Sequence, residues 1–150
     1  LAHEKPGWQL SACDISEQAL AMAAKNNRRH NTGVNLVHSN WFASITEKDF
    51  DIIVSNPPYI EPDDPHLQQG DVRFEPDAAL SAANNGMADI ELLCRQAPGY
   101  LKEKGLLVVE HGYNQQQAVA ECFASAGFED ITQHQDLSGH TRITAGKLKA

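Results

Sequence analysis

The sequence predicts an α/β fold: a mostly parallel sheet that ends in an antiparallel C-terminal hairpin. Three observations point to it. Short apolar strand candidates alternate with amphipathic stretches of helical spacing. The run Ile52-Ile53-Val54 suits a strand covered on both faces, as in parallel sheets. Two late strand candidates, Glu129–Gln135 and Arg142–Leu148, flank the turn residues Ser138-Gly139 and read as a hairpin.

In chain order, Gln9–Cys13 reads as a strand ending at Asp14, with Ser16 placed to cap the next helix and Glu17 and Gln18 in its first turn. Ile15, Ala19, Met22 and Ala23 recur on one helical face. Asn31-Thr32-Gly33 supplies the stop, Val34–His38 a second strand and Phe50–Ser55 a third. The stretch from Asn56 to about Gly86 carries Pro57, Pro58, Pro62, Pro65 and Pro76, so it is neither a regular helix nor a central strand. Loops this long in compact domains are usually functional or disordered. Ile90, Leu93, Cys94, Ala97 and Leu101 mark a helix that Pro98 kinks or interrupts. Gly105 leads into a buried strand, Leu106 to Val109, ending at Glu110-His111-Gly112. Asn114 and Gln117 have capping-box spacing before a helix with Ala118, Val119, Cys122, Phe123 and Ala126 on one face, closed by Gly127.

The 150 residues fit one core. No apolar run approaches the roughly 20 residues needed to span a bilayer. The first residues lack the apolar stretch of a signal peptide, so a cytoplasmic protein is expected. Cys13, Cys94 and Cys122 form no CxxC pair and read as buried apolar residues. The histidines lack ligand spacing, so no metal site is expected. A formal charge of −8 argues against a direct nucleic-acid substrate. The one local basic cluster, Lys25, Arg28, Arg29 and His30, reads as a solvated helix face.

Ligands of such sheets sit at the carboxyl ends of the strands. Four features fall there. Asp14 can accept hydrogen bonds from the two hydroxyls of a ribose, or merely stabilise a turn. Asn40-Trp41 offers an amide and a flat ring to an adenine, or covers the sheet edge. Glu110-His111 reads as a polar strand end or as an acid–base pair. Asn56-Pro57-Pro58-Tyr59 is the most informative. An amide or exocyclic amino nitrogen is a poor nucleophile, because its lone pair is delocalised. The Asn56 side-chain oxygen and the Pro57 carbonyl can each accept one N–H of a planar NH2 group and aim that lone pair. Tyr59 can lie against the flat group, and the two prolines stiffen the loop in advance.

These residues resemble a known family. Asp14 after a strand, Ser39-Asn40-Trp41-Phe42, and Ile53-Val54-Ser55-Asn56-Pro57-Pro58-Tyr59-Ile60 are similar to the class I, Rossmann-like methyltransferases that modify planar NH2 groups. Asp64-Pro65-His66-Leu67, Gly70-Asp71-Val72-Arg73-Phe74-Glu75-Pro76, Gly86-Met87-Ala88-Asp89 and Glu110-His111-Gly112 narrow the resemblance to the HemK/PrmC family of protein-glutamine N5-methyltransferases.

The resemblance covers nearly the whole chain. It implies S-adenosyl-L-methionine as cofactor and peptide-chain release factors as protein substrates, methylated on the glutamine of their Gly-Gly-Gln loop. It implies that Asp14 holds the cofactor ribose, that Asn40 and Trp41 lie by the adenine, and that Asn56, Pro57, Pro58 and Tyr59 form the catalytic motif. Asn56 counts with the cofactor set as well. Family members commonly carry Asp before the Trp, where this chain has Asn40; the expected result is weaker but surviving cofactor contact.

The family's first strand, its Gly-rich turn and an N-terminal helical domain are expected upstream of Leu1, with Leu1-Ala2-His3 at the end of a helix. The 150 residues then form the C-terminal part of the catalytic domain, and alone they are expected to bind cofactor poorly and to be inactive. The strands Gln9–Cys13 and Phe50–Ser55 would face each other across a gap. The four-residue motif is shared with DNA and RNA amino-methyltransferases of adenine N6 or guanine N2, and a non-catalytic fragment is a third reading. The loop 60–77 holds six acids against Arg73 alone, a surface suited to a basic protein partner.

Overall fold

The computed structural model describes residues 1–59, 83–84 and 86–150. The acidic loop 60–77 and the expectations for Ile60, Asp64 to Leu67 with His66, and Gly70 to Pro76 lie outside the described residues. The chain divides into two units, Leu1–Thr46 and Glu47–Ala150.

The first unit is a strand–helix–strand motif. Strand β1 (Ser11–Asp14) and strand β2 (Asn35–His38) pair in parallel, from Ser11 opposite Asn35 to Asp14 opposite His38. Between them runs helix α1 (Glu17–Arg29). Ser16 is extended, and its hydroxyl accepts from the Ala19 N–H at 3.2 Å, the cap expected of it. At the far end the Asn27 amide donates to the Val34 carbonyl (2.9 Å) and accepts from the Thr32 hydroxyl (2.6 Å). Asn31, at φ 50°, makes the turn, a conformation that asparagine tolerates. The face of Ile15 and Met22 is not buried: they are 63% and 55% exposed, and α1 buries no residue. Residues 1–8 form turns rather than a helix element, with one bond of helical spacing from Lys5 N–H to the Leu1 carbonyl at 2.8 Å.

The second unit holds a four-stranded sheet in the order β3-β4-β6-β5. Strand β3 (Phe50–Ser55) pairs in parallel with β4 (Leu101–Glu110). Strands β5 (Phe128–Gln135) and β6 (Thr141–Leu148) form the expected antiparallel hairpin, and β6 also pairs with β4. Helices α2 (Ala88–Gln96) and α3 (Gln116–Ser125) supply the rest of the core. Ile90, Leu93, Cys94 and Ala97 bury with Leu107, Val109, Val119, Phe123 and Phe128. Full burial of such side chains is worth about 1.5–3 kcal/mol each. The rings of Phe123 and Phe128 meet at 5.2 Å, tilted by 45°. Gly146 makes room for them, since a Cβ there would sit 2.9 Å from Phe123 Cδ1.

Several expectations need correction. Leu101 is not helical: α2 stops at Gln96, Ala97–Gly99 forms a 3-10 turn with Pro98 in its first positions, and Leu101 opens β4. Proline fits the start of a turn and cannot donate within a helix. β4 begins earlier than expected because Lys102 to Gly105 bulge opposite the single residue Asp51. Ile52 and Val54 are 37% and 57% exposed, so β3 is not covered on both faces; it is the edge strand of its sheet. Asn114 and Gln117 form no capping box: the N-cap is Gln115, without a side-chain cap bond, and Gln117 donates to Glu121 at 2.7 Å.

The cysteines differ among themselves. Cys13 is exposed, Cys94 buried and Cys122 half-buried. Among the described residues no helix is long and apolar enough to cross a membrane.

Candidate active site

In the first unit, the parallel register brings two predicted features together at the carboxyl ends of the strands. The Asp14 carbonyl accepts from Ser39 N–H at 3.1 Å, while its carboxylate Oδ1 accepts from Ser16 N–H at 2.7 Å. The carboxyl group is therefore oriented, yet Asp14 is exposed. Beyond β2 the chain turns sharply. Trp41 has φ 50°, an uncommon conformation for a bulky residue that costs about 1–3 kcal/mol and is frequent at functional sites.

Ser39 holds that turn. It is 3% exposed, its hydroxyl donates to the Trp41 carbonyl at 2.7 Å, and the same oxygen accepts from Ser44 N–H at 2.9 Å. The Asn40 carbonyl accepts from Ala43 N–H at 3.0 Å, which leaves Asn40 exposed and Trp41 half-buried at the tip. The sequence assigns Ser39 no such role, because a serine beside Asn-Trp carries no spacing signal.

In the second unit, Asn56 leaves the end of β3 exposed, Pro57 is buried behind it, and Pro58 and Tyr59 are half-buried. The strand before the loop is fixed by its pairing, with Ser55 opposite Val109. The residue that ends the motif is fixed twice. The Tyr59 hydroxyl donates to Glu110 Oε1 at 3.3 Å, and the Tyr59 carbonyl accepts from Gln115 Nε2 at 3.0 Å. Glu110 stands at the end of β4, the neighbour of β3, so the sheet itself brings these partners within reach. Asn56, Pro57, Pro58 and Tyr59 thus form one short segment fastened at Tyr59, and Asp14, Asn40 and Trp41 gather at the turn of the first unit.

His111 is a structural residue. It is wholly buried, and both ring nitrogens are engaged: Nδ1 with the Gly112 carbonyl and Nε2 with Thr144 Oγ1, each at 2.9 Å. A carbonyl only accepts, so Nδ1 carries the proton and Nε2 accepts from Thr144. Burial pushes the imidazole below its ordinary pKa, with Arg142 acting the same way and the Gly112 carbonyl and Glu110 opposing. Glu110 serves as an acceptor for Tyr59. Of the two readings of Glu110-His111, the polar strand end describes these contacts. His140 lies exposed, 5.4 Å from the Tyr113 ring.

Known proteins resemble this chain. The family model for the methyltransferase small domain matches residues 1–73. The release factor glutamine methyltransferase of Pseudomonas aeruginosa is 44% identical over 98% of this chain and 54% of its own length. That of Vibrio cholerae is 43% identical over 99% and 53%, and that of Escherichia coli 41% over 98% and 53%. The chain spans about half the length of the curated relatives it matches.

Among solved structures, a methyltransferase from Pyrococcus furiosus superposes with a TM-score of 0.71 at 16% identity, covering 95% of this chain and 64% of that one. A ribosomal protein L11 methylase from Lactobacillus delbrueckii does so with 0.67 at 20%, covering 99% and 62%. These likenesses show the fold, a Rossmann-like methyltransferase sheet of mixed direction. With 41% to 44% identity over nearly all of its residues, the chain is similar to the release factor glutamine methyltransferases.

Proposed function

We propose that this protein transfers a methyl group from S-adenosylmethionine to the side-chain amide nitrogen, N5, of a glutamine, the one in the Gly-Gly-Gln loop of peptide-chain release factors, in the cytoplasm. The observation that carries the reading is the presentation of Asn56: an exposed amide at a strand end, backed by buried Pro57 and stiffened by a loop fastened at Tyr59. The names of the relatives supply the substrate.

The residues of the first unit suit an adenosine. The carboxylate of Asp14, exposed and already oriented by Ser16, offers acceptors to ribose hydroxyls. The ring of Trp41 offers a flat apolar face and the Asn40 amide a hydrogen-bonding edge. When bound, S-adenosylmethionine supplies an electrophilic methyl group on a sulfonium.

The rest is positioning. The Asn56 side-chain oxygen and the Pro57 carbonyl accept the two N–H bonds of the glutamine amide, which fixes the nitrogen and draws electron density onto it. The Tyr59 ring lies against the amide plane. No strong base is required, because the proton leaves after the methyl group has arrived. Pre-paid orientation of this kind lowers barriers by several kcal/mol, up to about 7–11.

Labelled-methyl transfer by the full natural protein, with a release factor and DNA offered side by side, tests the substrate. Label on the release factor, lost when the Gly-Gly-Gln glutamine is changed, is the expected result. Label on DNA alone would keep the Asn56 chemistry and overturn the substrate.

A further inference from the structure

The Asn56–Tyr59 loop is gripped by a side chain from outside the motif. Gln115 is 7% exposed and uses both ends of its amide: Nε2 donates to the Tyr59 carbonyl at 3.0 Å, and Oε1 accepts from Gly112 N–H at 2.8 Å. One planar group thereby ties the last residue of the motif to the turn that follows β4.

The neighbourhood is built around this contact. Gly86 has φ 74°, and a Cβ there would fall 2.1 Å from the Tyr59 carbonyl oxygen and 2.7 Å from Gln115 Nε2, so only glycine fits beside the bond. The two hydrogen bonds demand a donor and an acceptor side by side at one depth. A primary amide meets that demand. An isosteric carboxylate would keep the acceptor for Gly112 but set negative charge against the Tyr59 oxygen, and an apolar chain would satisfy neither group.

We propose that Gln115 is a positioning residue for methyl transfer: acting through the Tyr59 carbonyl, it sets where the Asn56 amide and the Pro57 carbonyl stand. This rests on the functional reading above. Tyr59 has a second tether in Glu110, so loss of the Gln115 bond shifts the loop without freeing it. Misplacement of about 1 Å by a residue remote from the chemistry can cost about 100-fold in rate. The effect belongs in kcat, because Gln115 acts on the loop that carries Asn56 and the Pro57 carbonyl, the groups that aim the amide nitrogen.

The test compares Gln115→Glu and Gln115→Met with wild type in the full natural protein, measuring methyl transfer to a release factor from pH 8 to 5.5, with thermal melts to verify folding. A protonated Glu carries an O–H that can donate to Tyr59 and a C=O that can accept from Gly112, and burial favours its protonation. At pH 8 both variants are expected to lose kcat by about 10- to 100-fold at an unchanged KM for S-adenosylmethionine. As pH falls, the ratio of Gln115→Glu to wild type climbs while that of Gln115→Met stays flat.

Variants within twofold of wild type at every pH overturn the proposal. So does a loss of rate that follows loss of folding and shows no recovery for Glu at low pH, since that marks a purely structural role. A wild-type protein that leaves the release factor unlabelled sinks the functional reading, and this proposal with it; active wild type with indifferent variants sinks this proposal alone.

Discussion

His111 and Thr144 pair in the interior of the second unit, with Nε2 accepting from the threonine hydroxyl at 2.9 Å and neither side chain touching solvent. The bond staples the end of β4 to β6, next to Glu110 and the turn that Gln115 holds. Gln133 Nε2 donates to the same hydroxyl at 3.4 Å, so Thr144 both gives and receives. Replacing it with the isosteric valine strands a buried imidazole nitrogen. Thr144→Val is expected to cost about 1–3 kcal/mol, read as a lower urea midpoint with an unchanged slope. A midpoint equal to wild type would show that the pair contributes nothing.

The same histidine makes stability depend on pH. Its folded-state pKa is depressed, so on acidification the unfolded chain takes up the proton first. The neutral ring adds its stability above the ordinary imidazole value near 6.5 and loses it as pH falls through the lower folded value. Thermal melts from pH 8 to 5 are expected to show a decline setting in below about pH 6.5 that is shallower in His111→Gln. Parallel profiles for the two proteins would remove His111 as the cause.

Among the described residues, Gly86 is the most constrained glycine near the candidate site. Gly86→Ala adds strain at φ 74° and drives a methyl group into the Tyr59 carbonyl. The expected result is a loss of at least about 1 kcal/mol of stability, together with methyl-transfer activity reduced more than that loss explains. A variant as stable and as active as wild type would show that the loop can move aside without penalty.

Much of this was legible in the residues, for definite reasons. Phe50–Ser55 was read to its ends because an apolar run meets Asn-Pro-Pro at one side. Ser16 was read as a cap because its hydroxyl is one of few groups able to serve a helix start. The hairpin followed from Ser138-Gly139 between two strand-like runs. Leu101 misled because it stands four residues after Ala97 and continues a helical pattern, although Pro98 and Gly99 had already broken the helix. Asn114 and Gln117 misled because their spacing is right but the intervening Gln115 is turned toward other partners. The bond from Gln115 to Tyr59 joins residues 56 apart, and the thiols of Cys94 and Cys122 meet only when α2 packs on α3. Periodicity within one element carries no trace of such contacts.

The thiol pair leads to a chemical prediction. The neighbouring Cys94 holds Cys122 below the ordinary thiol range, with Arg95 assisting against burial and Glu91; Cys94 itself is pushed up. Cys13 is pushed up by partial desolvation and by Asp14. Thiolates are the reactive form, so limiting iodoacetamide at pH 8 is expected to label Cys122 ahead of Cys94, as followed by peptide mass spectrometry. Cys94→Ala should slow the labelling of Cys122. Unchanged labelling in that variant would remove Cys94 as the cause.

The central claim is that Asn56 presents the acceptor that aims a glutamine amide for methylation. Its most direct test is the rate at which the Gly-Gly-Gln peptide of a release factor gains one methyl group, followed by mass spectrometry, with the full natural protein compared as wild type and as the Asn56→Ala variant. Cofactor affinity is measured alongside by calorimetry. The account predicts that the substitution slows transfer by at least about 100-fold, as expected for one well-placed hydrogen-bonding group, and weakens cofactor binding by much less. Transfer to the same glutamine at a rate near wild type by the Asn56→Ala protein would contradict it.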